Sequence, residues 1–125
     1  MTPPSDDDFA QMINAAMASL PADKVEGLGD QCVVTYADEP TAEQMEKLKL
    51  RGDRILLGLF EGVPLTKRGN GWSGLLPAKI TLFKIPLSHI SPTEKDLQEN
   101  VRHTLWHEMA HFYGLDHAEI RAREK

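Results

Sequence analysis

The chain has little that is typical of secreted, membrane-spanning or nucleic-acid-binding proteins. Cys32 is the single cysteine and cannot form a disulfide within the chain, so nothing in the sequence marks an oxidising compartment. The longest apolar run, residues 55–60, is far shorter than the roughly 20 residues that span a bilayer. Lysine and arginine form no cluster, and the net charge is −5. Because phosphate binding needs clustered basic side chains, we expect neither a nucleic-acid partner nor a membrane partner.

The remaining composition is that of an ordinary globular domain. The first residues are acidic and lack the basic and apolar regions of a signal peptide, so we expect a cytoplasmic protein. Hydrophobic residues make up 41% and charged residues 26% of the 125 residues. A chain of this length can bury a core without disulfides or structural metals, which predicts a single domain over residues 1–125. We expect Cys32 to act as a small buried hydrophobic residue rather than as a metal ligand.

One stretch carries the chemistry, and it reads His-Glu-x-x-His-x-x-Gly-x-x-His over residues 107–117. On a helix, His107 and His111 lie on one face with Cβ atoms about 5–6 Å apart, so both can bind one zinc ion. Glu108 follows the first ligand, where its carboxylate can take a proton from a water molecule. Gly114 tolerates the backbone conformation that ends a helix. The resulting turn brings His117 back as a third ligand and leaves a fourth position open for catalysis.

The motif lies on a helix with two distinct faces. Ser91 is predicted as its N-cap, with Pro92 at the first helical position and Glu94 completing a capping box. The helix should run to about Tyr113. One stripe is apolar and suits a core: Leu97, Val101, Leu105, Met109 and Phe112. A second stripe, well over 100° away by helical geometry, suits a metal cleft: His103, His107 and His111.

Three other polar residues have side chains that can bind a metal ion or support its ligands. His103 lies one turn before His107, but a fourth protein ligand would close the position that catalysis needs, so we expect a surface or supporting role. His89 is expected to be a surface or capping histidine. Asp116 can either orient a ligand histidine or satisfy the turn, and the sequence favours neither.

The rest of the chain alternates helices and strands. Three stretches predict strands: residues 32–36, residues 55–60 as a strand buried on both faces, and residues 79–85, which Pro86 ends. A first helix is predicted from the N-cap Ser5 to Leu20. Thr41 and Gln44 form a capping-box pattern for a further helix.

Two details complete this prediction. In the helix that opens at Thr41, Met45 and Leu48 are expected to face inward, and Gly52 to end the helix. Residues 61–74 form a long loop dense in turn residues, which in a small domain is more often functional than idle. Trp72 can simply anchor this loop. The sharper hypothesis is that the loop borders the metal cleft, with Arg68 and Trp72 as candidate substrate contacts.

These motifs give the chain a resemblance to a known family, the minimal bacterial zincins. Three stretches carry it: the Asp-Asp-Phe start of the first helix, Glu-Gly-Val-Pro-Leu-Thr-Lys-Arg over residues 61–68, and residues 101–114 around the motif. The resemblance implies a compact α/β (α+β) zincin fold, in which a small mixed sheet packs against the long C-terminal motif helix. It also implies zinc held by His107 and His111, with Glu108 as the general base.

The third ligand is less sharply indicated. Members of this family often carry an acidic residue at the position of His117, whereas a histidine there is similar to the pattern of the metzincins. We therefore keep His117, Asp116 and Glu119 as candidates, in that order. No methionine follows His117, so we expect no methionine turn and do not place the chain among the metzincins.

The function expected from these residues is zinc-dependent hydrolysis of peptide bonds. An exposed edge of the second or third strand can hold an extended peptide substrate by main-chain hydrogen bonds. One alternative is a non-catalytic zinc-binding interaction domain. The other is a zinc-dependent single-strand endoribonuclease, because small enzymes of that class share the histidine spacing. Glu108 and the acidic charge balance argue against the nuclease.

Overall fold

The computed structural model describes residues 1–48, 55–67 and 76–115. In these ranges the helices are α1 (Asp6–Ser19), α2 (Ala22–Glu26), α3 (Ala42–Lys47), α4 (Lys84–His89) and α5 (Glu94–Tyr113). The strands are β1 (Cys32–Ala37), β2 (Gly58–Glu61) and β3 (Ala78–Phe83), and a short 3₁₀ turn spans Leu65–Lys67. The mixed α/β class with a long helix near the C-terminus is confirmed.

The three strands form one small mixed sheet in the order β1-β3-β2. β1 runs parallel to β3, and β2 runs antiparallel to β3. Because β3 is paired on both sides, the prediction that the third strand offers a free edge is wrong. Of the strands that the structure describes, β1 and β2 are the outer ones, so the second strand is the predicted candidate that keeps an outer edge.

The core lies between the sheet and two helices, α1 and α5. α1 packs on α5, and α5 packs on β2 and β3. All five residues of the predicted apolar stripe of α5 are fully buried. Phe9 of α1 is also fully buried and meets Tyr36 of β1 edge to face, with ring centroids 5.7 Å apart. Cys32 is 4% exposed and belongs to this core, as expected.

The first helix follows the prediction closely. The Ser5 hydroxyl accepts a hydrogen bond from the Asp8 amide at 3.1 Å, which satisfies one of the free N–H groups of the first turn. Three acidic residues occupy that turn, where the helix dipole favours negative charge. The helix ends at Ser19, with Leu20 extended and Pro21 following.

The strand predicted over residues 79–85 is wrong in its last part. β3 ends at Phe83, and α4 begins at Lys84. Pro86 is compatible with this helix because it sits in the first turn, where N–H groups have no intrahelical acceptor. The largely buried Lys84 ammonium lies 2.7 Å from a carboxylate oxygen of Asp6. The hydrogen bond to Asp6 raises the pKa of Lys84, so this ion pair secures the start of α4 to α1. His89 lies in the last turn of this helix, where it is exposed, in line with its expected surface position.

The predicted start of the motif helix is also wrong, by two residues. The N-cap is Thr93, whose hydroxyl accepts from the Asp96 amide at 3.2 Å while the Asp96 carboxylate accepts from the Thr93 amide at 3.2 Å. Ser91 is buried, and its hydroxyl donates instead to the Leu87 carbonyl at 2.7 Å. It also accepts from the Asn100 amide group at 2.9 Å. Ser91 thus ties the end of α4 to α5, and Glu94 does not complete the capping box.

α3 and β2 differ from prediction in their burial and bounds. The capping box of Thr41 and Gln44 is confirmed, but Leu48 is 43% exposed and does not face inward. The predicted end at Gly52 lies outside the described residues. β2 begins at Gly58 rather than at residue 55, and Ile55 is 53% exposed. The register explains this, because residue 56 would pair with position 84, which already belongs to α4.

Candidate metal centre

Three side chains with metal-binding atoms meet on one side of α5. The candidate ligand atoms of His107, Glu108 and His111 all lie within 4.8 Å of one another. The two imidazole rings are 4.9 Å apart between centroids and nearly perpendicular, at 78°. His107 and Glu108 are half-buried, and His111 is exposed. Within the described ranges this is the only group of three such residues.

The helix itself creates this grouping. Residues four apart project from the same side, so the two histidines face one direction while the apolar stripe faces the sheet. The buried face is broader than the predicted stripe, since Trp106 and Ala110 are also buried. His103 is exposed and stands outside the metal-binding group, in line with its expected surface position.

The helix ends as the motif predicts. Gly114 has φ 72°, in the left-handed region that glycine adopts without strain. The Gly114 amide bonds to the His111 carbonyl at 3.1 Å, and the Leu115 amide to the Ala110 carbonyl at 3.0 Å, which is the Schellman arrangement. A Cβ at Gly114 would also lie 2.9 Å from the Thr66 side chain. Conformation and packing therefore both require glycine at this turn.

Part of the predicted functional loop reaches this turn. The 3₁₀ turn Leu65–Lys67 packs on α5, with Thr66 directly over Gly114. This places the described part of the loop at the end of the metal-binding helix. Arg68 and Trp72 lie outside the described residues, so their substrate contacts stay a prediction. The three candidates for the third ligand, Asp116, His117 and Glu119, also lie outside them.

β2 lies alongside the metal-binding helix. A Cβ at Gly58 would be 2.7 Å from the Thr104 methyl carbon, so backbone and helix are in close approach there. Phe60 meets Phe112 with ring centroids 6.2 Å apart. This contact was not predicted from the sequence. The glycine inside the apolar run of residues 55–60 was the available signal, because a glycine within a strand often marks close approach of another element.

A comparison with protein families agrees with this geometry. The family model described as zincin-like metallopeptidase matches residues 29–125. The chain belongs to this family. The match confirms the resemblance to zincins and covers two of its three stretches, residues 61–68 and 101–114, and the family implies a metal ion, usually zinc. A search of curated proteins found no match.

The candidate ligands of this protein fit zinc. Two imidazoles suit a borderline ion such as Zn²⁺, whereas Mg²⁺ and Ca²⁺ prefer sites built of oxygen. Neutral imidazole is the form that binds metal, and the partly exposed site lets both rings meet an ion from solvent. Among the described residues, no helix has the length and apolar character needed to cross a membrane.

Glu108 has an environment that changes its acidity. Burial raises the pKa of its carboxyl from 4.5 to about 7, and the backbone amide of Phe60 opposes part of this rise. A group whose pKa lies near neutral pH can both accept and release a proton under ordinary conditions. The same burial makes the carboxylate costly to the fold when it is charged and no metal ion is bound.

The stability of the metal-free protein should therefore depend on pH through Glu108. Its folded-state pKa is raised, so the stabilisation is complete below pH 4.5 and is lost as the pH rises through about 7. At about 1.4 kcal/mol per pKa unit, the free energy of unfolding should fall by about 3 kcal/mol over this range. Urea denaturation with a chelator present would measure it. Glu108→Gln should lack this component, and identical pH profiles for the two proteins would refute the assignment.

The contact between β2 and α5 gives a second prediction. Gly58→Ala places a methyl group against Thr104 and should lower the free energy of unfolding by about 1–3 kcal/mol. Thr104→Ser removes the clashing methyl carbon and should recover part of this loss in the double variant. Denaturation of all four proteins gives the coupling energy, expected to exceed about 0.5 kcal/mol. Strict additivity would mean that the two residues do not touch.

Proposed function

We propose that this protein is a zinc-dependent peptidase that hydrolyses peptide bonds with Glu108 as its general base. The observation that carries the proposal is the grouping of His107, Glu108 and His111 within 4.8 Å on a side of α5 that solvent reaches. Membership of the zincin-like metallopeptidase family supports it. The third ligand stays a prediction among His117, Asp116 and Glu119.

Each residue of the grouping has a distinct role. His107 and His111 hold the ion through neutral imidazole nitrogens. When bound, zinc supplies a Lewis acid that polarises the scissile carbonyl and acidifies water. Glu108 takes a proton from the attacking water and delivers it to the leaving amine. Its raised pKa suits both halves of this transfer, because the carboxyl must bind the proton and then release it.

The outer edge of β2 supports an extended peptide as the substrate. The Phe83 amide bonds to the Leu57 carbonyl at 2.9 Å, so these residues form a hydrogen-bonded pair of the antiparallel ladder. Such pairs alternate along a ladder, which turns the main-chain groups of Gly58 and Phe60 away from β3. The Phe60 amide lies near the Glu108 carboxylate, which leaves the Phe60 carbonyl and the main-chain groups of Gly58 for a peptide. A peptide added along this edge would bring its own backbone past the catalytic carboxylate.

The test is exposure of zinc-loaded protein to an unbiased peptide library, with fragments identified by mass spectrometry. Cleavage at defined bonds, absent after chelation and restored by zinc, is the expected result. Zinc retained at about one ion per chain with no cleavage would favour the interaction domain instead. Cleavage of single-stranded RNA but not peptides would favour the nuclease, which the net charge of −5 opposes.

A further inference from the structure

The outward main-chain groups of β2 lie beside α5 as well as along the proposed substrate edge. Phe60 occupies a position of the β2–β3 ladder whose N–H points outward, away from β3. Two contacts hold this stretch on α5: Gly58 against Thr104, and the Phe60 ring near Phe112. The strand advances about 6.6 Å from Gly58 to Phe60, and the helix advances about 6 Å from Thr104 to Glu108. The backbone of Phe60 is therefore level with Glu108, and its ring reaches on to Phe112.

Glu108 lies between these two contacts on the helix. Thr104, Glu108 and Phe112 are spaced by four residues and project from one side of α5. The outward N–H of Phe60 therefore points to the side of α5 that carries Glu108. The ladder explains why this amide is available, because it makes no bond to β3.

We infer that the backbone amide of Phe60 positions the general base, by donating a hydrogen bond to one carboxylate oxygen of Glu108. One oxygen is then fixed by the strand, and the other is left to take the proton. The catalytic consequence rests on the proposed function, whereas the hydrogen bond itself does not. The Phe60 amide is then used by the base, while the Phe60 carbonyl and the main-chain groups of Gly58 remain for a substrate backbone.

Amide hydrogen exchange of the metal-free protein tests the hydrogen bond directly. An outward edge amide with no acceptor exchanges quickly, so protection at Phe60 reports the bond. We expect Glu108→Ala to raise the Phe60 exchange rate at least tenfold. Leu59 and Glu61, whose amides point to β3, should keep their rates, as should all three in the control Glu99→Ala, which alters an exposed glutamate of α5. Unchanged protection at Phe60 in Glu108→Ala would overturn the inference.

A pair of variants tests the consequence for catalysis. Phe60→Ala removes the ring and keeps the N–H, whereas Phe60→Pro removes both. Proline is tolerated at an edge position whose N–H makes no ladder bond. Relative to Phe60→Ala, Phe60→Pro should lower kcat about tenfold or more, with KM and zinc affinity within twofold. Equal kcat values in two folded variants would refute the positioning role.

The peptidase function and the positioning role of Phe60 can be refuted separately. If Glu108→Gln is inactive but both Phe60 variants have the same kcat, the peptidase stands and the positioning role falls. If the wild type cleaves no peptide, the proposed function falls, and hydrogen exchange still decides whether Phe60 binds Glu108.

Discussion

Glu108→Gln should lower the rate of peptide cleavage by about 10²–10⁴-fold while leaving the metal in place. Glutamine has the shape of the carboxyl group but cannot take a proton from water at neutral pH. Because Glu108 is half-buried and carries a pKa raised to about 7, the neutral amide should not harm the fold. The measurement is kcat on a peptide selected from the library, together with the zinc content of each protein.

The matched control is Glu99→Gln, which makes the same change on the same helix. Glu99 is exposed and stands outside the metal-binding group. Its variant should keep the wild-type kcat within about twofold. Full activity in Glu108→Gln would show that Glu108 is not the general base. Equal losses of activity in both variants would point to a general effect of charge on α5.

The second large effect is expected from the histidines. His107→Ala and His111→Ala should each weaken zinc binding by more than about 100-fold. Loss of a residue that only hydrogen-bonds to a metal ligand already lowers metal affinity by about 10- to 100-fold. Cleavage at limiting zinc should be lost in parallel. Competition with a chromogenic chelator would give the affinities.

His103→Ala provides the control for this experiment. His103 is exposed one turn before His107 and lies outside the metal-binding group. The His103→Ala variant should therefore bind zinc with the affinity of the wild type. A loss in His103→Ala comparable to that in His111→Ala would mean that the ion sits one turn earlier on α5 than we propose.

Sequence alone was sufficient for the part of α5 that carries the site, although not for its start. The two stripes, the end at Gly114 and the placement of His107, Glu108 and His111 all follow from helical periodicity and from the conformation of one glycine. These are local properties, because neighbours within four residues determine them. For the same reason the capping of α1 by Ser5 was predicted correctly.

The errors concern competition between neighbouring elements. Ser91 and Thr93 both begin plausible capping patterns, and the choice depends on the Leu87 carbonyl, which takes the Ser91 hydroxyl. The end of β3 coincides with an ion pair between the largely buried Lys84 and the exposed Asp6, residues 78 positions apart. No local pattern contains such a contact.

The position of β2 could not be predicted from local pattern either. Strand order is a property of pairing between distant segments, and the outward amide of Phe60 exists only because β2 pairs with β3 in this register. The short approach of Gly58 to Thr104 likewise joins segments far apart in the chain. The motif therefore predicts the candidate metal-binding side chains, whereas the position of the strand beside them follows only from the fold.

The most direct test of the account is a zinc titration of chelated protein while cleavage of the selected peptide is followed. We expect the rate to rise in proportion to added zinc and to reach its plateau at one ion per chain. Glu108→Gln should bind the same single ion and remain inactive throughout. A rate that is independent of zinc, or equal plateaus for the two proteins, would contradict a peptidase built on His107, Glu108 and His111.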